Sequence, residues 1–320
     1  MQLVETLDQI TTPFKNAVVT IGNFDGVHKG HQALLRQVIK KADEISGTSV
    51  ALTFEPHPLR ALGISSPPLI TRHDQKMELL AQSGIDVVIC LRFDKEFAAI
   101  SADDFITDIL VNKIGMKAII TGPDYTFGKD RKGNIDLLKK KGRILGFETI
   151  VANWISDAPD KADRISSTRI RKIVMDGRVE EAKKYLGRHY QIRGKVIKGR
   201  SRGGSQLGCP TANIKLHDEL CPRFGVYAVT VETVYGTFMG VANIGFSPTF
   251  DDHLFTIEVH IINFDKNIYE TRIRVNMVAR LRDEKKFANI EELSEQIQKD
   301  IDIAKDVLEK NGFIENNHIS

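Results

Sequence analysis

One short segment constrains the fold of this chain more than any other, because it predicts a strand, a tight turn and a helix start in succession. Residues 17–21 (Ala-Val-Val-Thr-Ile) form a run rich in β-branched residues, which predicts a buried parallel strand. Gly22 and Gly26 interrupt this run, and from His31 onward apolar residues recur at helical spacing. Nucleotides bind at such strand ends in open α/β sheets, where a helix amino terminus attracts phosphate. The segment therefore predicts an anion site in an α/β domain.

The first half of the chain repeats this alternation of strand and helix patterns. Apolar runs predict four more strands, at residues 49–54, 86–91, 117–121 and 147–151. Alternation of this kind predicts a doubly wound, mostly parallel sheet. Three loops that follow predicted strands are expected together at its carboxyl edge: 22–31, 55–58 and 122–128.

The second half of the chain has a different pattern, in which glycine and proline separate short β-rich runs. These runs lie at residues 191–197, 211–215, 225–234, 237–244, 254–262 and 271–278. Evenly spaced strands predict a small antiparallel barrel, against which an amphipathic helix over 290–308 is expected to pack. A chain of 320 residues also favours two domains, and Gly187 is placed to end a helix. We therefore expect domains at 1–186 and 187–320.

Composition excludes several classes of protein. The chain has three cysteines, an odd number, and no Cys-x-x-Cys pair. This disfavours a disulfide framework or a zinc site and fits a reducing cytoplasm. A net charge of +3 without a basic stripe disfavours a nucleic-acid partner. Residues 1–16 lack the apolar core of a signal peptide, and no apolar run approaches the ~20 residues of a membrane span. We expect a cytoplasmic protein with no membrane partner.

Two groups of side chains are candidates for phosphate chemistry. His28 and His31 are three residues apart, so they share one face at a helix start and can donate hydrogen bonds to a reacting phosphate. A solvated helix start and a metal pair are the alternatives, although no third ligand follows at zinc spacing. Neither the P-loop nor the Gly-x-Gly-x-x-Gly pattern occurs. The second group, residues 165–171, combines serines suited to helix capping with two arginines that suit an anion.

These motifs resemble those of a known family. Residues 22–31 (Gly-Asn-Phe-Asp-Gly-Val-His-Lys-Gly-His) resemble the His-x-Gly-His signature of nucleotidylyltransferases, in the form carried by bacterial riboflavin kinase/FAD synthetases. The second phosphate motif and the intervening loops of that family are similar to residues 165–171, 54–58 and 122–128. The riboflavin kinase module is similar to residues 202–213, 240–245, 248–250 and 258–260. The resemblance therefore covers nearly the whole chain.

The resemblance implies a fold and two reactions that use ATP. An α/β nucleotidylyltransferase domain would adenylylate FMN to FAD and release pyrophosphate, and a β-barrel riboflavin kinase domain with a carboxyl-terminal helix would phosphorylate riboflavin to FMN. Implied catalytic residues are His28 and His31 in the first domain and Glu258, as a base, in the second. A surface glutamate on a half-exposed strand is the alternative for Glu258.

The resemblance also implies binding residues. Thr211 and Asn213 would bind Mg²⁺, and Asp124 and Phe127 would contact the flavin. Contacts to ATP and its phosphates are implied for Gly22, Asn23, Phe24, Asp25, Gly26, Ser166, Ser167, Thr168, Arg169, Arg171, Gly203, Gly204 and Gly208. Loop capping is the alternative for Asp25, and a plain flexible loop is the alternative for the glycines near 203.

Several residues of the second domain differ from those that the family usually has, and these differences leave other functions possible. Cys209, Phe246-Ser247 and Asn263 stand where the family usually has other residues. One alternative is therefore a monofunctional FMN adenylyltransferase with a weak or inactive barrel. A flavin-binding regulator without turnover is another, although it would not require a base such as Glu258. A nucleotidylyltransferase for a different substrate is disfavoured by the barrel motifs. ATP, riboflavin, FMN and FAD are the expected ligands, and a homo-oligomer stays open.

Overall fold

A computed structural model describes residues 1–153, 164–197, 210–216, 219–245 and 256–313. The chain forms two compact units, and we call them the first unit (Met1–Pro67 and Thr71–Ser167) and the barrel unit (Pro68–Ile70 and Thr168–Ser320). The strands are β1 Gln2–Val4, β2 Ala17–Ile21, β3 Ser49–Glu55, β4 Val87–Arg92, β5 Met116–Thr121, β6 Glu148–Val151, β7 Tyr190–Ile197, β8 Thr211–Lys215, β9 Gly225–Thr233, β10 Gly236–Gly245, β11 Thr256–Ile261 and β12 Arg272–Arg282.

The helices are shorter in the first unit than at the end of the chain. The α-helices are α1 Lys29–Glu44, α2 Pro58–Ala61, α3 His73–Gln82, α4 Lys95–Ala98, α5 Ala102–Asp104, α6 Ile135–Leu145, α7 Ser167–Met175, α8 Val179–Leu186 and α9 Ile290–Lys310. Two short 3₁₀ helices cover Leu7–Gln9 and Lys129–Arg131. Among the described residues, no helix is both long and apolar enough to cross a membrane.

The first unit contains a six-stranded sheet in which every neighbouring pair is parallel, in the order β1-β4-β3-β2-β5-β6. The five predicted strands are confirmed. All five residues of β2 are buried, because alternate side chains enter hydrophobic clusters on the two faces of the sheet. Strand β1 was not predicted, since three residues are too few to show a pattern.

One helical segment of the first unit has two parts. Ser101 caps α5, and its hydroxyl oxygen accepts from the Asp104 amide at 3.1 Å. The segment then continues as a π-helix over Phe105–Lys113, which buries Phe105 and Ile106 among other apolar residues. Over nine residues the apolar spacing fits an α-helix and a π-helix equally well, so the sequence did not distinguish them.

The barrel unit contains a closed antiparallel barrel with strand order β10-β11-β8-β7-β12-β9, and this confirms the predicted barrel. Helix α9 is also confirmed, and its side chains Ile301, Ala304 and Leu308 pack on apolar residues of the barrel. Asn289 caps this helix by accepting from the Glu292 amide at 2.8 Å. The helix thereby forms a wall beside the barrel.

Gly187 ends α8 as its position in the sequence predicts. Its φ of 75° lies in the left-handed region, and its amide donates to the Lys183 carbonyl at 2.9 Å. Helix α8 contacts strands β7 and β12 of the barrel. The expected functional boundary between residues 186 and 187 stays a prediction.

Two candidate active sites

The histidine motif lies where β2 ends and α1 begins, as the sequence predicts. His28 is the N-cap of α1, and its Nδ1 accepts from the His31 amide at 3.3 Å. The two imidazole rings are stacked, with centroids 3.6 Å apart and planes 14° from parallel. Because Nδ1 of His28 is an acceptor, a neutral His28 carries its proton on Nε2. The motif therefore offers an N–H donor at the amino end of a helix.

Burial controls the charge of the second histidine. Desolvation, and to a smaller extent the neighbouring His28, lowers the pKa of His31 well below its ordinary value of 6.5. The Nδ1 atom of His31 is buried and has no hydrogen-bond partner among the described residues. The Phe24 ring also packs against this imidazole in a T-shaped arrangement, with centroids 5.3 Å apart. His31 is thus a neutral side chain at neutral pH, fixed by ring packing on two sides.

Gly30 and Gly22 allow this close packing. A Cβ atom built at Gly30 would lie 3.1 Å from Nδ1 and Cε1 of His28. At Gly22 the same atom would lie 3.3 Å from the Phe24 ring. Gly22 and Gly30 therefore keep space for the rings of Phe24 and His28.

The loops after β3 and β5 were also predicted to lie at the carboxyl edge of the sheet. The loop after β3 contacts the histidine motif, since the Asn23 side-chain amide lies 3.2 Å from Nε2 of His57. After β5, Asp124 accepts from the Arg164 guanidinium at 3.1 Å in an exposed ion pair. Phe127 lies deeper: its side chain is 8% exposed and stacks on Tyr125 in the core. The loop at 55–58 is thus joined to the motif, whereas Phe127 is a core residue.

The second predicted phosphate motif spans the end of the first unit and the start of the barrel unit. In the first unit, the Ser167 hydroxyl donates to the backbone carbonyl of Asp25 at 2.9 Å. In the barrel unit, Arg171 Nε donates to the Pro68 carbonyl at 2.9 Å, and the Arg169 guanidinium lies 4.8 Å from the centre of the Tyr185 ring. The side chains of this motif are therefore held by neighbours, and Thr168 beside them is exposed.

The barrel unit contains a second candidate site in a cavity of about 330 Å³ between the barrel and α9. Thr211, Asn243, Glu258 and His260 line it from the barrel strands. Apolar side chains of α9, including Ile297, line the other side. A cavity with an apolar wall and a few convergent polar groups is typical of a small-molecule site.

The strand register explains why the predicted kinase residues are neighbours. Asn213 on β8 is the Cα partner of Glu258 on β11, and Thr211 is the partner of His260. Alternation places Thr211 and Asn213 on one face of β8. Burial raises the pKa of the Glu258 carboxyl above its ordinary value of 4.5. The three residues that the resemblance indicated are therefore on adjacent strands, and the carboxyl among them is a stronger base than usual.

Other residues of this cavity were missed by sequence reasoning. Asn243 is the Cα partner of Glu258 on its other side, and alternation along β10 is the signal that could have identified it. Asp300 on α9 is 3% exposed and accepts from Nη2 and Nε of Arg282, the shortest contact being 2.6 Å. Gln296 also donates to this carboxylate at 3.0 Å. No local pattern predicts a pair 18 residues apart.

Several predicted residues lie outside the described ranges. They are the glycine-loop residues Gly203, Gly204 and Gly208 and the departures Cys209, Phe246 and Ser247. Asn263, the remaining departure, follows β11 with a φ of 54°, and asparagine tolerates this left-handed conformation better than most residues do.

Comparison with known proteins assigns a family to each half of the chain. The family model described as FAD synthetase matches residues 11–169, and the model described as riboflavin kinase matches residues 186–308. The first match contains the histidine motif, and the second contains the barrel cavity. The chain is also 39% identical over 310 residues to a bifunctional riboflavin kinase/FMN adenylyltransferase of Buchnera aphidicola, covering 95% of this chain and 98% of the relative.

Two further comparisons extend over both halves. The bifunctional riboflavin kinase/FMN adenylyltransferase of Haemophilus influenzae is 40% identical over 307 residues, covering 95% of this chain and 98% of the relative. A crystal structure from Streptococcus pneumoniae, of a protein named macrolide-efflux protein, is 34% identical with a TM-score of 0.84. It covers 95% of this chain and 98% of that chain, so the similarity in fold includes both units.

Proposed function

Because the chain belongs to the bifunctional riboflavin kinase/FMN adenylyltransferase family, we propose that each of its two candidate sites performs one of these reactions. The barrel cavity phosphorylates riboflavin to FMN, and the histidine motif adenylylates FMN to FAD. The observation that carries this division is the presence of two distinct sets of polar groups. One is a stacked histidine pair at a helix start, and the other is a buried carboxyl with a raised pKa in a cavity.

The chemistry of adenylyl transfer suits the histidine pair. A phosphate oxygen of FMN attacks the α-phosphorus of ATP, the bond to the β-phosphate breaks, and pyrophosphate leaves. The nucleophile is already an anion, so alignment and charge stabilisation are needed more than a strong base. We assign these tasks to His28, whose ring donates from Nε2, and to His31, which packs against it.

Other side chains of the first unit are proposed to bind the substrates of this reaction. We assign ATP and phosphate contacts to Gly22, Asn23, Phe24, Gly26, Ser166 and Ser167, and to Asp25 through its backbone. The Ser167 hydroxyl proton is already donated to the Asp25 carbonyl, so its contact with phosphate would be made by the backbone amide at the start of α7. Asp124 is the proposed flavin contact, and Phe127 supports its loop from the core.

We propose Thr168, Arg169 and Arg171, which follow Ser167 in α7, as further phosphate contacts. The positive charges of the two arginines and the helix start suit phosphate. The proposed role of Gly203, Gly204 and Gly208 belongs to the kinase reaction. We place the functional boundary between residues 186 and 187, which keeps α7 and α8 with the adenylyl-transfer reaction.

Phosphorylation of riboflavin requires a base, because its nucleophile is a neutral hydroxyl group. We assign this task to Glu258, which takes the hydroxyl proton as the oxygen attacks the γ-phosphorus of ATP and ADP leaves. The raised pKa of this carboxyl makes proton transfer to it more favourable than to an exposed glutamate. The adjacent Thr211 and Asn243 supply polar contacts in the same cavity.

The donors beside Glu258 fit a magnesium ion. Thr211 and Asn213 offer neutral oxygen ligands, and Mg²⁺ commonly takes few protein ligands together with water and the phosphates of ATP. Among the described residues, no cluster of three or more histidine, cysteine or acidic side chains forms a ready-made metal site. When bound, Mg²⁺ neutralises charge on the phosphates and orients them. We therefore propose Thr211 and Asn213 as its ligands.

Product analysis by chromatography tests the proposed function. With riboflavin, ATP and Mg²⁺, we expect FMN to form first and FAD to follow. FAD from FMN without any FMN from riboflavin would instead indicate a monofunctional adenylyltransferase, the alternative suggested by the departures at 209, 246–247 and 263. Tight flavin binding without release of pyrophosphate or ADP would indicate a flavin-binding regulator.

A further inference from the structure

The turn that leads into His28 has an unusual backbone. Phe24, Gly26 and Val27 have φ values of 47°, 86° and 37°, all in the left-handed region. A positive φ is uncommon for residues other than glycine, and for a β-branched residue such as Val27 it is an outlier. Conformations of this kind persist only where the surrounding structure fixes them. The contacts that hold this turn therefore bear directly on where His28 is placed.

A buried threonine outside every predicted motif makes these contacts. The Asp25 carboxylate accepts from both the amide and the hydroxyl of Thr71, at 3.0 and 3.3 Å. The same hydroxyl oxygen accepts from the Gly26 amide at 3.0 Å. Asp25 is 4% exposed and Thr71 is 3% exposed, so these bonds lie away from water. One hydroxyl group thus bonds two successive residues of the turn, as a donor to the first and as an acceptor from the second.

Two backbone carbonyl groups of the turn accept hydrogen bonds from side chains of helices. The Ser167 hydroxyl donates to the Asp25 carbonyl at 2.9 Å, which links the turn to the first residue of α7. The Gln32 side chain donates to the Val27 carbonyl at 2.9 Å, which links it to α1. The turn is therefore held on three sides, and Thr71 holds its centre.

We propose that Thr71 is a positioning residue for adenylyl transfer, which acts through Asp25 and Gly26 on the placement of His28. This inference rests on the proposed function of the histidine motif. It also gives Asp25 a definite role, because a carboxylate that is 4% exposed and bonded to Thr71 serves the turn and not the nucleotide. Thr71 holds the strained conformation from which α1 and its two histidines start.

The test compares two substitutions at one position. Thr71→Val keeps the shape and the backbone amide of the residue but removes the hydroxyl, whereas Thr71→Ser keeps the hydroxyl. The readout is the single-turnover rate constant for FAD formation from FMN with enzyme in excess, since this constant does not depend on the fraction of active enzyme. Misplacement of reacting groups by about 1 Å can slow a reaction ~100-fold. We expect Thr71→Val to lower the rate constant roughly 10- to 100-fold.

The controls separate positioning from loss of structure. The rate constant of Thr71→Ser is expected to stay within about 3-fold of wild type. FMN formation from riboflavin by the same preparations should be unchanged. If Thr71→Val does not fold, Thr71→Ala removes the same hydroxyl without placing a methyl group against the Gly26 amide.

Two results would overturn the inference. They are a wild-type rate constant in Thr71→Val and an equal loss of rate constant in Thr71→Ser. An unchanged rate constant with a reduced amplitude of FAD formation would show that Thr71 serves folding only. A wild-type protein that makes no FAD from FMN would instead remove the proposed function of the histidine motif, and the inference with it.

Discussion

Each candidate site contains a buried titratable side chain, and burial shifts the two pKa values in opposite directions. The reason is that a histidine is charged when protonated, whereas a glutamate is charged when deprotonated. In the histidine motif, burial lowers the pKa of His31 well below 6.5, so the ring is neutral at neutral pH. In the barrel cavity, burial raises the pKa of Glu258 above 4.5, so the ionised carboxylate is a stronger base. The difference matches the two nucleophiles, because an FMN phosphate needs alignment and a riboflavin hydroxyl needs deprotonation.

The largest expected effect comes from removal of the proposed base. Glu258→Gln keeps the size and hydrogen bonding of the side chain but cannot accept the proton, so FMN formation from riboflavin should slow by ~10²–10⁴-fold. Glu270→Gln is a matched control, because the Glu270 side chain is 72% exposed and lies in the same unit. An unchanged kinase rate in Glu258→Gln would remove this residue from the role of base.

Removal of the histidines should have the next largest effect, on the other reaction. We expect His28→Ala or His31→Ala to slow FAD formation from FMN by ~10²–10³-fold, since that is the usual loss for one donor to a developing charge. FMN formation from riboflavin serves as the control in the same sample. Equal losses of both reactions in these variants would contradict the assignment of separate sites.

The ion pair between Arg282 and Asp300 in the wall of the barrel cavity predicts an effect on stability in one unit only. Asp300→Ala leaves Arg282 without its bidentate carboxylate, and we expect a loss of about 3 kcal/mol, the low end for a buried pair because Arg282 is 24% exposed. Native-state hydrogen exchange of the β9 and β12 amides measures this loss. Asp302→Asn, at an exposed position of the same helix, should change it by less than about 0.5 kcal/mol. A wild-type exchange rate in Asp300→Ala would show that the pair contributes little.

The two reactions should also respond differently to pH, and the changes in rate should be smaller than those caused by the substitutions of Glu258 and the histidines. FMN formation is expected to fall as the pH decreases through the pKa of Glu258, which lies above 4.5, because the protonated carboxyl cannot accept a proton. Below that pKa the rate should fall about 10-fold per pH unit. Initial rates between pH 5 and 8 measure this limb, and its persistence in Glu258→Gln would assign it to another group. Above pH 6.5, FAD formation should be insensitive to the protonation of His31, whose pKa is lower.

The two regions also differ in how far the sequence predicts them. Local patterns were sufficient for β2 and the six barrel strands, which are β-rich runs, and for α1, whose apolar residues recur at helical spacing. The histidine motif was equally local, since its rings and glycines lie within ten residues. Contacts between distant segments gave no such signal. Thr71 bonds Asp25 across 46 residues and Asp300 bonds Arg282 across 18, and neither pair has a spacing that predicts contact.

Burial is the other property that the sequence did not predict. Phe127 belongs to a loop that resembles a substrate loop, yet its ring is 8% exposed because neighbouring rings and Gly133 pack around it. Asp25 likewise belongs to the nucleotide motif, but its carboxylate is directed into the bonds with Thr71. Motif spacing identifies which residues belong to a site, whereas packing decides which of their atoms a ligand reaches.

The measurement that tests the two-site account most directly is the product pattern of the variants Glu258→Gln and His31→Ala, each supplied with ATP, Mg²⁺ and either riboflavin or FMN. The account predicts that Glu258→Gln makes FAD from FMN at the wild-type rate but makes almost none from riboflavin. His31→Ala should convert riboflavin to FMN and stop there. Loss of both products in both variants, with the proteins still folded, would contradict two independent sites on this chain.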